Sequence, residues 1–352
     1  MTLNNTLYPI FEGRNVNLSL LQWDALLFET INMQFSLLKS QGSGNDFFLT
    51  DIRHYNGAVT DAMKKQLAIY LCDRNSDFGA DGILYVDNST VGDGKMVIFN
   101  ADGSEAEMCG NGIRIVARYV SELLDKPQVI IENKTGIPYP LNLVEDFYPE
   151  LTAFELTFPK ANFDSGSFLI QNNSTELINS LIPELSSTIK FTALSLPNPH
   201  IVAFVDDIVE EELRTLGEKA NSSPQILPQG VNVNFGKIIS DNSIYVATYE
   251  RGVGLTYSCG TGMFATTLSA VNGGHIKKEE WITLFNKGGY TKCLVNNDLS
   301  GRMIGNASYI YTADINFDFE NNNIISSVIN NGDYSHETDA YEKLLAHVNE
   351  LS

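Results

Sequence analysis

Positive charge is scarce in this chain: 23 Lys+Arg stand against 43 Asp+Glu, a formal net charge of −20 over 352 residues. That field repels phosphate backbones and anionic lipid, and no Lys/Arg cluster reverses it locally, which argues against nucleic acid and membrane as partners. Cysteine is nearly as scarce. Cys72, Cys109, Cys259 and Cys293 are too few and too scattered for a disulfide scaffold, and no C-x-x-C pair offers a zinc or redox site. Reduced thiols in a cytoplasmic protein are the expectation. Also missing are a P-loop and a G-x-G-x-x-G turn after a strand, so no nucleotide cofactor is signalled, and neither is a metal. Long apolar runs are absent: the stretch from Leu18 to Ile31 is broken by Gln22, Asp24 and Glu29, and only Arg14 precedes it, which fits neither a signal peptide nor a membrane span. The N-x-[ST] triplets, as at Asn17 and Asn306, then reflect only a chain rich in Asn and Ser. What is present is 43% hydrophobic residues, enough for real cores, over a length that suggests about two domains.

Along the chain, apolar residues at Leu20, Trp23, Leu27 and Ile31 predict a short leading helix, structural or a dimer contact. From Phe35 to Ile52 the pattern is strand, Gly-rich turn, strand; Asp61 to Asp73 reads as helix. A β run at Val97–Asn100 leads through a polar turn, Gly103–Gly112, into a helix over Ile113–Leu124. Periodicity fails over Val144–Pro159, which carries Pro149 and Pro159, so a linker is expected near residue 150. Beyond it come β runs at Ile201–Val205, Val231–Phe235 and Ile244–Tyr249, a helix over Val209–Ala220, and a Gly-rich turn into a helix over Met263–Val271. The tail from Asn321 reads as polar, with one weak helix at Ala340–Leu351.

Internal repetition is the most informative feature. Cys-Gly-Asn-Gly at 109–112 recurs as Cys-Gly-Thr-Gly at 259–262. Each copy precedes a helical pattern, and each follows a β run that ends in a polar residue nine positions upstream, Asn100 and Glu250. Asn45 opens a β run well before Cys109, as Asn198 does before Cys259. Two homologous halves, each bringing one thiol to a shared cleft, account for this pattern. A thiol at a helix start meets unpaired N–H groups and the helix dipole, which lower a Cys pKa and bind anions. A small carboxylate held between two such ends would have its α-carbon flanked by two bases. Proton removal from one face and delivery to the other is stereoinversion, and it needs no cofactor in principle. Cys72 and Cys293 lack such a turn and read as core residues.

At these residues the sequence resembles the diaminopimelate epimerase family. The resemblance is carried by Met33–Asp51 (MQFSLLKSQGSGNDFFLTD), Asn100–Arg118 (NADGSEAEMCGNGIRIVAR), Asn133–Ile137 (NKTGI), Pro197–Asp207 (PNPHIVAFVDD), Gly230–Phe235 (GVNVNF) and Glu250–Gly262 (ERGVGLTYSCGTG). It spans about Met33 to Phe317 and implies cofactor-independent interconversion of LL- and meso-2,6-diaminopimelate, in lysine and peptidoglycan precursor synthesis. It further implies that Cys109 and Cys259 are the two bases, one thiol and one thiolate at rest, assisted by His200 and Glu250. Helix-start amides at Gly110, Asn111, Gly260 and Thr261 would hold the reacting carboxylate. Asn45, Asn100, Asn198, Asn232, Glu250 and Arg251 would grip the distal end, Arg251 as a bidentate carboxylate partner. A homodimer is the usual family arrangement.

The fold so implied is α+β: two pseudo-symmetric domains, each a mixed β-sheet around a central helix that starts at a catalytic Cys. The expected division is an N-terminal extension, 1–32; a first domain, 33–150; a second, 151–300; a return segment onto the first, 301–318; and a tail, 319–352. Two departures from the family pattern stand out. Arg74–Gly82 reads RNSDFGADG, so no side chain is available at its last position. The helix after Cys259 reads Met263-Phe264-Ala265-Thr266-Thr267 instead of a small, Ala-rich run. Rival readings are another amino-acid racemase on this scaffold, acting on histidine for example, and a ligand-binding relic without chemistry.

Overall fold

A computed structural model describes residues 32–164, 176–196, 198–330 and 334–350. The helix expected over Leu20–Ile31 lies outside the described residues, as does almost all of the 1–32 extension.

The first repeat is built from β1 (Asn32–Gly42), β2 (Asn45–Asp51), α1 (Asp61–Leu71), β3 (Gly82–Asp87), β4 (Gly94–Asn100), β5 (Glu105–Ala106), α2 (Gly110–Leu124), β6 (Gln128–Glu132), β7 (Pro138–Tyr148) and β8 (Leu151–Phe158). After the short β9 (Ser180–Leu181) the second runs β10 (Lys190–Ser195), β11 (Pro199–Phe204), α3 (Glu210–Asn221), β12 (Asn232–Ser240), β13 (Ser243–Glu250), β14 (Gly254–Thr256), α4 (Gly260–Asn272), β15 (Ile282–Asn286), β16 (Gly289–Val295) and β17 (Gly301–Asn306). The ladders match strand for strand. In each repeat strands one and two are antiparallel, and a helix crosses between the parallel strands two and three. The central helix crosses between the parallel strands four and six. Parallel neighbours need such a crossover, and the crossover helix covers the face of the sheet.

The eighth strands, β8 and β17, pair antiparallel with each other, from Phe158 opposite Gly301 to Ala153 opposite Asn306, and this joins the repeats. The linker expected near 150 is therefore a correction. Pro149 and Glu150 form a tight hairpin turn between β7 and β8, with Glu150 at φ 63°. The repeat boundaries fall after Phe158 and Asn306, eight and six residues past the expected 150 and 300. Along β8 the apolar residues are buried, while Thr152, Glu155 and Thr157 are partly exposed.

Both central helices are buried along most of their length; α4 carries no charged residue, whereas α2 buries Arg114 and Arg118 among its apolar side chains. Ile113, Val116 and Val120 of α2 share one core with Met263, Phe264 and Leu268 of α4 and with Met303 of β17. The bulky run after Cys259 finds its partners in that core. Phe264 stacks on Phe158 at 4.6 Å, while Thr266 and Thr267 bond back to the carbonyls of Gly262 and Met263.

β18 (Ser308–Asp318) pairs with β1 of the first repeat. The tail beyond it differs from expectation: β19 (Asn323–Asn330) adds an exposed edge strand beside β18. A full helix, α5 (Ser335–Asn349), begins five residues ahead of the expected Ala340.

Candidate active site

Cys109 and Cys259 are the N-cap residues of α2 and α4, each with extended backbone and each accepting an N–H at 3.4 Å, from Gly112 and Gly262. The two helix starts meet head to head. A Cβ on Gly260 would stand 3.7 Å from Gly110 Cα, ordinary contact distance, and 3.1 Å from Met303 Cε, so the two starts touch and Gly260 is the tighter position. The remaining first-turn amides are those of Gly110, Asn111, Gly260 and Thr261, and Gly110 and Gly260 lie against each other.

Burial outweighs those amides in setting the sulphurs' ionisation. Cys109 is pushed up by burial, partly offset by the Gly112 and Asn111 amides. Cys259, 5% exposed, is pushed up further because the Glu250 charge adds to burial. The lowering expected at a helix start thus acts on both sulphurs without prevailing over burial.

Corresponding positions of the two repeats have diverged. Gly82 pairs with Asn100; Val233 pairs with Tyr249, which puts Asn232 opposite Glu250 in the same register. Glu250 accepts from Thr256 Oγ1 at 2.7 Å and hydrogen-bonds Cys259, and its own pKa is raised by burial. Asn100 donates to Ser104 Oγ at 3.0 Å within its own turn. Asn232 Oδ1 accepts the Arg251 amide at 2.8 Å; Arg251 Nη1 donates to Gln229 O, and the side chain makes no ion pair among the described residues. Gly82 is closed to any side chain, because a Cβ there would meet Phe99 O at 2.5 Å.

The paired asparagines are held with opposite polarity. Asn45 Nδ2 donates to Asp81 at 2.5 Å, which turns its Oδ1 toward Cys109 Sγ at 3.7 Å. Arg74, at 2.7 Å, anchors Asp81 in turn. In the second half Asn198 presents its Nδ2 to Thr261 Oγ1 at 3.3 Å, and Thr261 Oγ1 stands 3.5 Å from Cys259 Sγ.

His200 does not hydrogen-bond either sulphur. Its Nδ1 accepts from Asn234 Nδ2 at 3.2 Å, so the neutral ring carries its proton on Nε2 and donates to Asn198 Oδ1 at 3.0 Å. Burial, then the Arg251 charge, brings its pKa down to about 3. Asn234, 0% exposed, fixes that tautomer and was not singled out by the sequence reading; its place two residues after Asn232, facing His200 across a parallel ladder, is visible only in the fold. Asn111 was expected for its amide, but its side chain also bridges the halves, donating to Ser258 O at 3.4 Å.

The family model described as diaminopimelate epimerase matches residues 37–140 and 192–310, most of both repeats. The chain belongs to the diaminopimelate epimerase family. Diaminopimelate epimerase from Clostridium acetobutylicum is 40% identical over 315 residues, 88% of this chain and 94% of that protein. Its counterpart from Ligilactobacillus salivarius is 40% identical over 291 residues, 79% of this chain and 89% of that protein. Solved structures share the fold at low identity. A PhzF-family phenazine biosynthesis protein from Bacillus anthracis has a TM-score of 0.59 at 13% identity, over 80% of this chain and 99% of that one. A hydroxyproline epimerase from Agrobacterium vitis reaches 0.54 at 14%, over 81% and 92%.

Proposed function

We propose that Cys109 and Cys259 are the two bases with which this epimerase interconverts LL- and meso-2,6-diaminopimelate. The observation that carries the reading is the pair of sulphurs capping two helices that start head to head. With a carboxylate on the first-turn amides, the substrate α-carbon lies between the sulphurs. One thiolate takes the α-proton, the amides stabilise the charge that spreads into the carboxylate, and the opposite thiol delivers a proton to the other face. Atoms and charge balance within the two sulphurs and the substrate. Glu250, buried beside Cys259, is suited to relay protons to and from that sulphur between turnovers. His200 acts one step removed, by holding Asn198 and through it Thr261.

Arg251, with Asn45, Asn100, Asn198 and Asn232, would hold the distal amino-acid end; a guanidinium without a carboxylate partner among the described residues supports a substrate with a second carboxylate. The two repeats would act as domains closing on that substrate. The homodimer and the cytoplasmic setting belong to the same proposal; among the described residues no helix is long and apolar enough to cross a membrane.

The test is deuterium incorporation at the α-carbon of LL-diaminopimelate in heavy water, followed by NMR. Wild type is expected to exchange and to form the meso isomer. Cys109→Ser and Cys259→Ser are expected to lose roughly 10²-fold or more in kcat, the scale of positioned acid or base catalysis. Faster turnover of histidine or another amino acid would overturn the substrate assignment, and silence on all of them would favour the binding relic.

A further inference from the structure

Arg114 heads the fully buried side chains by size and makes no ion pair among the described residues. It stands one turn into α2. Nε donates to Asn306 O at 3.2 Å and Nη1 to Gly110 O at 3.0 Å; Nη2 donates to Ser43 Oγ at 3.2 Å and to Asn111 Oδ1 at 2.9 Å. All four acceptors are neutral. The guanidinium is held in place from outside as well, because a Cβ on Gly305 would lie 2.8 Å from its Cζ.

Burying an ion without a counter-charge is costly, and proteins ordinarily pair or neutralise such groups. Arginine cannot take the second route at neutral pH: burial brings Arg114 down only to about 10. The titratable groups that face it are Cys109, at the start of its own helix, and Cys293, on β16. Cys293 is pushed up to about 12 by burial and stays a thiol. Cys109 also faces Glu250 from β13, whereas Cys259 faces Glu250 with no cation to balance it. The position equivalent to Arg114 in the second repeat, five after the Cys, is Phe264. Fixed positive charge therefore lies behind one thiol of the two.

We propose that Arg114 is an electrostatic positioning residue whose missing counter-charge is the anion that forms at the Cys109 face of the cleft. Cys109 accordingly ionises ahead of Cys259, and the two faces of the substrate carbon are served unequally. Arg114 acts through Gly110 and Asn111, which bear the helix-start amides, and does not itself touch the substrate. The inference rests on reading Cys109 and Cys259 as the two bases, so its test is independent of turnover.

The experiment is the pH dependence of iodoacetamide alkylation at each cysteine, resolved by peptide mass spectrometry, on full-length wild type, Arg114→Met and Arg114→Lys. Folding of each variant is checked by circular dichroism. In wild type, Cys109 is expected to reach half its limiting rate at a lower pH than Cys259. Arg114→Met is expected to slow Cys109 about tenfold at neutral pH, a shift of about one pH unit, and to leave Cys259 in place. Arg114→Lys, which keeps the charge, restores most of the rate. Equal profiles for the two thiols in wild type, no shift in Arg114→Met, or an equal shift of both sulphurs would each overturn the proposal. If Arg114→Met does not fold, the wild-type order and the lysine variant decide. Turnover retained by Cys109→Ser would instead overturn the reading of the site and leave the alkylation result standing by itself.

Discussion

His200 is a residue whose chemistry is decided by burial. Isolated, an imidazole titrates in the physiological range; here both nitrogens are committed to amides and the ring is held neutral, with its pKa down to about 3. A histidine whose folded pKa lies below its unfolded value adds stability above the unfolded pKa, near 6.5, and loses it as pH falls toward the folded value. His200→Gln, which keeps a donor for Asn198, is therefore expected to flatten the acid-side loss of stability between about pH 6.5 and 3. The effect, on the order of a few kcal/mol at the acid end, is read as the difference between variant and wild type in urea midpoints at several pH values. Parallel acid profiles would show that the ring is not the group being charged. The Asn-Pro-His pattern marked this residue in the sequence, but its bonding to Asn198 and Asn234 depends on the parallel pairing of β11 with β12.

Helices α2 and α4 show what a single element can and cannot announce. Their starts were legible, because Cys-Gly-x-Gly after a β run is a helix entry whose glycines signal close approach. Their near-complete burial and head-to-head meeting were not, since these depend on how two repeats dock. Gly260→Ala tests the docking: the added Cβ would stand 3.1 Å from Met303 Cε and 3.7 Å from Gly110 Cα. Gly110→Ala is looser, with 3.7 Å to its nearest neighbour. Gly260→Ala is expected to cost about 1–3 kcal/mol of stability as an overpacked site, and to lower kcat more than Gly110→Ala does, because Met303 must give way beside the start of α4. Thermal melts and steady-state kinetics on both variants check the order; equal kinetics would mean that packing at the start of α4 does not govern the reaction. The prolines at 149 and 159 suggested a linker, but Pro149 sits in a two-residue turn whose flanking strands pair directly, and that pairing is visible only in the fold.

The whole molecule is closed by α5, which packs beyond the last residue matched by the family model. Its Ala340, Leu344 and Val348 share a core with Phe147 and Leu151 from the first repeat and Phe285 and Ile304 from the second. Glu337 forms a buried bidentate pair with Arg118 of α2, at 2.6 and 2.8 Å, and Tyr341 donates to Gly288 O at 2.9 Å. The tail thus ties α2 and both repeats together. Glu337→Gln leaves Arg118 with only its 2.8 Å pair to the partly exposed Glu122 and is expected to cost about 3 kcal/mol, the low end for a broken buried pair. An Arg118→Met/Glu337→Met pair is expected to recover much of that, as measured by urea unfolding; a loss below about 1 kcal/mol for the single variant would mark the pair as a marginal surface-type bridge. By itself the sequence determined the duplication, the two cysteines and the residue types of the site, because these are local patterns that recur in order along the chain. Tertiary structure alone decided which side chains face the thiols, that burial outweighs the helix-start amides, that Arg114 lies behind only one sulphur, and that the tail spans both halves. Each of these depends on distances between segments far apart in the chain, and on how far their packing excludes water.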